Sequence, residues 1–194
     1  MVREESKTRR RILDVAQELI QTRGYSAVSF HDLAERVKIR TASIHYHFPT
    51  KRDLGVELVR RYRDSFAAAR DSIDRAEPDA ARRLDRYVET VRAAFKATGR
   101  MCLCGILAAE ASALPPEVVR EVRRFFEENE AWLARVLAQG RAAGRLQFDE
   151  KPAEAARALF AALEGALMSA WTFADEMRLK AAGRWLVRAL RREP

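Results

Sequence analysis

SFHDLAERVKIRTASIHYHFPTKRD, residues 29–53, spells two short helices joined by a tight turn, followed by the capped start of a third. Ser29 stands three residues before Asp32, the spacing at which a hydroxyl and a carboxylate satisfy each other's backbone amides at a helix start. Phe30, Leu33, Ala34 and Val37 recur at offsets of three and four, which places them on one face. The pattern breaks at Lys38-Ile39-Arg40 and resumes from about Thr41 to His47, with Ile44 and Phe48 directed inward. Pro49 ends it, because proline has no amide hydrogen and pushes the preceding residue out of helical angles. Thr50 and Asp53 repeat the capping spacing. A helix of about seven residues is too short to persist alone, so its neighbours must hold it. The arrangement predicts a helix-turn-helix whose second helix enters the major groove of DNA.

Outward from this stretch the chain reads as helix throughout. Upstream, a helix over about residues 6–23 carries Ile12, Val15, Ala16, Leu19 and Ile20 on one face and stops at Gly24. Downstream, prolines and turn residues separate segments of helical period over about residues 51–74, 80–98, 102–113, 116–143, 152–173 and 175–191. Period-two alternation is almost absent, and RAAGRLQFDEKP reads as a loop with at most a short extended piece. The expected fold is therefore all-α with about nine helices. A three-helix DNA-binding head occupies residues 1–55, and a helical bundle for ligand sensing and dimerisation occupies residues 56–194.

Composition narrows the function classes. The chain has 194 residues, 48% hydrophobic and 33% charged, an ordinary balance for a folded protein. Its longest uncharged runs, such as Gly165 to Ala174, reach ten residues, far short of the roughly 18 that a membrane span requires. The start, MVREESKTRRR, is charged with no apolar stretch behind it, so a cytoplasmic location without membrane partners is expected. Net charge is +8, and residues 1–55 hold 11 Lys/Arg against 7 Asp/Glu, half of the excess in little more than a quarter of the length. Coinciding with the helix-turn-helix, that excess points to phosphate contact. The three histidines, His31, His45 and His47, all fall in the head, without the further ligands a metal site needs. No Glu-x-x-His pair, phosphate loop or nucleophile motif occurs, so neither enzyme activity nor a cofactor is expected.

The run ASIHYHFPTKRDL (residues 42–54), with RRRILDVAQELIQTRGYSAVSF (residues 9–30) upstream, closely resembles the amino-terminal domain of TetR-family transcriptional repressors. The resemblance is specific over roughly residues 8–55. Beyond that, only the all-helical size and pattern match. The chain departs from the family in two places: Lys38-Ile39-Arg40 replaces a Gly-Val-Ser-like turn, and His45 stands where tyrosine is usual. Both departures alter the surface facing DNA. The resemblance implies a homodimer on a palindromic double-stranded operator, released by a small apolar or electrophilic effector. A DNA-binding dimer without a ligand, controlled by its abundance, is the alternative.

Candidate residues follow from these expectations. Thr41, Ala42 and His45 are placed to reach base edges, where methyl groups suit thymine and an imidazole can donate or accept. Tyr46, His47 and Lys51 suit phosphate contact, Arg40 suits either role, and Ser29 joins the set at the cap. Packing of Tyr46 and His47 beneath the first helix is the competing reading. The segment over residues 152–173 is rich in small residues and apolar on more than one face. It is either a central core helix or, with the last helix, a dimer interface through Leu159, Leu163, Gly165, Ala166, Leu167 and Trp185. Phe95, Phe125, Trp132 and Trp171 are candidate cavity walls, with Glu164 and Glu110 as polar anchors. Cys102 is a candidate electrophile sensor, matching a Cys-Leu setting in some TetR-like repressors, provided it is partly exposed. Its alternative role, and that of Cys104, is simple packing.

Overall fold

The computed structural model describes residues 7–191, and these form nine α-helices plus one 3-10 turn. The α-helices are α1 (Lys7–Arg23), α2 (Phe30–Val37), α3 (Thr41–His47), α4 (Lys51–Ala76), α5 (Ala80–Thr98), α6 (Leu103–Ala109), α7 (Pro116–Ala142), α8 (Pro152–Thr172) and α9 (Glu176–Ala189). The fold is all-α, as expected. Among the described residues the one extended pairing is an isolated antiparallel bridge between Leu146, inside the expected loop, and Arg191, expected to be the last helical residue but lying beyond the end of α9 at Ala189. No described helix is long and apolar enough to cross a membrane.

Punctuation in the sequence sets the boundaries. Ser29 and Asp32 form the reciprocal capping box at α2, and Thr50 and Asp53 do the same at α4. Asp79 caps α5 through the Arg82 amide, and Asp175 caps α9 through the Met177 amide. Pro116 and Pro152 open α7 and α8, where a missing amide hydrogen costs nothing. The segment expected to be helical to residue 113 ends sooner. After Ala109 it tightens into a 3-10 turn over Ala111–Ala113, because Pro115 and Pro116 follow and the last carbonyls take shorter bonds.

Two compact units emerge, and neither is a single run of sequence. The first joins the residues up to Arg63 with Cys102–Phe125, so α6 and the start of α7 pack with the helix-turn-helix. Its core is Ile12, Leu13, Ala16, Ile20, Leu33, Ile44, Phe48, Leu54, Leu58, Leu103 and Leu107, all nearly inaccessible to solvent. At about 1.5–3 kcal/mol for each large apolar side chain buried, this core is what holds the short α3 in place. In the second unit, Asp64–Met101 pack with the residues from Phe126 onward. Leu84, Tyr87, Leu133, Val136, Leu137, Phe160, Leu163 and Leu179 form its core. There α9 lies so close to α5 that a Cβ at Gly183 would collide with Val88.

Candidate nucleic-acid interface

The turn before α3 is sharp because Lys38 adopts the left-handed conformation, φ 61° and ψ 49°, with its amide bonded back to Ala34 and Glu35. Glycine takes this conformation freely, whereas a residue with a Cβ pays for it. The next helix starts at Thr41 with no side-chain cap from Arg40. Ile44 is fully buried and Phe48 nearly so, which fixes the rotation of α3 about its axis. Arg40, Ala42, His45 and Tyr46 consequently point outward, and Thr41 is half-buried. Tyr46 is 84% exposed, an unusual position for an aromatic ring unless another molecule covers it. The His45 ring stands edge-on to Phe30 with centroids 4.8 Å apart, and its Nδ1 lies 3.4 Å from the Pro49 carbonyl.

His47 and Lys51 are less free than their types suggest. His47 is half-buried, and its carbonyl accepts a 2.8 Å hydrogen bond from Arg9 Nη1. Arg9 also pairs with Glu57 and lies 4.5 Å from the centre of the Phe48 ring. This arginine therefore ties α1, the end of α3 and α4 together. Sequence reading missed it, because its partners lie 38 and 48 residues away and no local pattern links them. The Lys51 ammonium sits 4.5 Å over the Tyr25 ring and 3.5 Å from the Ser26 carbonyl. Burial pushes its pKa down, against the upward pull of Glu110 and Asp32. The Tyr25 hydroxyl donates to the Lys51 carbonyl at 2.9 Å, and burial, helped by Asp53, raises its pKa to about 12. Ser29 serves the α2 cap through both its backbone and side chain.

The candidates outside the head fare differently. Cys102 and Cys104 are 4% and 0% exposed, so the partial exposure required of an electrophile sensor is not found. Neither forms a disulfide, and Cys102 Sγ accepts from the Tyr62 hydroxyl at 3.7 Å. Glu110 is no ligand anchor but binds backbone amides of Tyr25 and Ser26. Phe125 packs on Tyr62 in the first unit, whereas Phe95, Trp132, Glu164 and Trp171 belong to the second. Within that unit Trp132 stacks near Tyr87 and donates to Asp74 at 3.0 Å. Trp171, expected inside a cavity, is instead exposed on the outer side of α8.

Helix α8 divides its two faces clearly. Leu159, Leu163 and Leu167 are buried in their own unit and are not available to a partner, contrary to the interface expected for them. Their four-residue spacing forms the inward stripe. Gly165 is exposed, with nothing near a Cβ built on it, and Ala166 is half-buried. Met168, Trp171, Phe173, Met177 and Trp185, on α8, the turn after it and α9, are likewise exposed, at 38% to 69%. No group of three or more His, Cys, Asp or Glu placed to hold a metal occurs among the described residues.

Known proteins resemble this chain over most of its length. The family described as "Bacterial regulatory proteins, tetR family" matches residues 12–58, and "Tetracyclin repressor-like, C-terminal domain" matches residues 64–186. A TetR-family transcriptional regulator from Agrobacterium tumefaciens superposes with a TM-score of 0.93 at 33% identity, covering 97% of this chain and 100% of that one. The transcriptional regulator AcuR of Cereibacter sphaeroides is 28% identical over 156 residues, 79% of this chain and 71% of its own length. The HTH-type transcriptional repressor DhaR of Mycobacterium sp. (strain GP1) is 24% identical over 161 residues, 82% of this chain and 80% of its own length.

Proposed function

Because the chain belongs to the TetR family of bacterial regulatory proteins, we propose that it is a repressor that binds a palindromic operator as a homodimer and is released by a small-molecule effector. The observation that carries the DNA reading is the outward row Arg40, Ala42, His45 and Tyr46 on a helix whose other side is locked by Ile44 and Phe48. Ala42 and His45 suit base edges, Tyr46 suits phosphate, and Arg40 suits either. Thr41, half-buried, offers its methyl group at the margin. His47 and Lys51, both half-buried at the end of this row, suit phosphate contact, and Ser29 caps α2. Support for repression comes from the similarity to DhaR.

Dimerisation through α8 and α9 is supported by the exposure of Gly165, Met168, Phe173, Met177 and Trp185. A single short recognition helix reads few bases, so two heads in successive major-groove stretches are needed, about 34–36 Å or a multiple apart. The effector acts through the second unit, and it can shift DNA binding only if it binds the released state more tightly than the DNA-bound one. Genomic fragments retained by the purified protein should share an inverted repeat and be protected as two half-sites in footprinting. Retention without a common sequence, or protection of one half-site by a monomer, would defeat the reading.

A further inference from the structure

Glu110 closes α6, and its carboxylate reaches the turn between α1 and α2. One oxygen accepts from the Tyr25 amide at 2.7 Å and the other from the Ser26 amide at 2.9 Å. Gly24 permits this approach: its φ is +84°, and a Cβ there would strike Glu110 Oε1. The gripped turn is itself a support for the DNA-facing elements. Tyr25 is buried, its hydroxyl donates to the Lys51 carbonyl, and the Lys51 ammonium covers its ring. Lys51 opens α4 and is separated from α3 only by Phe48, Pro49 and Thr50.

We propose that Glu110 is a positioning residue for operator recognition: its carboxylate fixes the Tyr25–Ser26 turn and, through Tyr25 and Lys51, the junction from which α3 meets DNA. The proposal rests on the reading of α3 as the operator helix. A carboxylate suits the task because it is acceptor-only, so both oxygens can take a backbone N–H. Burial works against its charge, but the bonds from Ser26 and Tyr25 and the nearby Lys51 outweigh this and hold it below the usual carboxylate range. Glutamine has the same shape but would turn an NH2 donor towards one of the two amides. That makes Glu110→Gln a probe of the grip that leaves volume unchanged.

The full-length protein should be titrated with the operator that wild type selects and with a scrambled duplex of equal length, across a salt series. Amide hydrogen exchange is read at Tyr25 and Ser26. For Glu110→Gln the expected result is a loss of about tenfold on the operator, the scale of one charge-assisted hydrogen bond. Scrambled-duplex affinity and the salt slope should stay at wild-type values, because no phosphate contact is removed. Exchange at Tyr25 and Ser26 should accelerate. Operator affinity equal to wild type, or an equal loss on both duplexes, overturns the proposal. If Glu110→Gln does not fold, Glu110→Asp, which keeps the charge but shortens the reach, must show the same split or the proposal fails. Wild type that selects no operator would refute the underlying DNA reading instead, while the two amides would still report whether the grip exists.

Discussion

Lys38 shows how much one backbone angle costs. Its left-handed conformation makes the helix-turn-helix bend possible, yet an L side chain there carries a penalty of roughly 1 kcal/mol relative to glycine. Lys38→Gly should therefore raise the thermal midpoint by about 2–4 °C, the shift expected for a chain of this size, as read by calorimetry. An unchanged or lower midpoint would mean that the Lys38 side chain contributes something its exposure does not show. This strain was partly legible in the sequence, since the break between two periodic runs lies at Lys38. The roles of Arg9 and Glu110 were not, because each acts on a backbone group dozens of residues away.

At the scale of helices, the boundaries were the most legible part. Proline, capping serine, threonine and aspartate, and turn glycine act locally, so their message survives without the fold. Which face of α8 looks inward was not legible, because alanine, glycine and leucine occur all round it and hydrophobic period alone cannot choose a side. With Gly165 on the outer side and open space at its Cβ, Gly165→Glu should leave the protomer folded but place charges in the proposed helix contact. Sedimentation should then show folded monomers at low micromolar concentration, whereas persistence of dimers would place the interface elsewhere. Within the first unit, Glu121 of α7 is an ionic link to α4. It is buried and bonded to Arg60 at 3.0 Å, to Arg63 at 2.5 Å and to Arg124 at 3.2 Å. Glu121→Gln should cost about 2 kcal/mol in denaturant unfolding, below the ~3–5 kcal/mol of a fully buried pair because Arg60 and Arg124 are half in water. A loss under 0.5 kcal/mol, on the order of a surface pair, would show the cluster to be dispensable.

For the molecule as a whole, acid should act on both units. Glu110 and Glu121 in the first unit and Asp74 in the second are each opposed by burial, but all are pulled below the usual carboxylate range by their hydrogen bonds and nearby cations. A group depressed on folding contributes stability above its unfolded pKa, about 3.9 for Asp and 4.3 for Glu, and loses it as pH falls through the lower folded value. Stability should thus be level from neutral pH to about 5 and decline below about pH 4. Glu121→Gln should make that decline shallower. A wild-type midpoint that falls already between pH 7 and 5 would contradict this and implicate groups other than these carboxylates. The expected division at residue 55 follows the order of the chain, while the compact units do not, since their packing is set by contacts that no local motif announces.

That interleaving bears on how the protein is made. The helix-turn-helix leaves the ribosome before Glu110 and Glu121, which bind the turn ahead of α2 and the helix α4 and follow only after α5 has been synthesised. A nascent chain stopped at residue 63 holds the recognition helix without the segment that braces it. For the same reason a head transplanted between regulators should travel as two pieces, residues up to Arg63 and Cys102–Phe125, because the covalent order of the chain and its mechanical unit are different things.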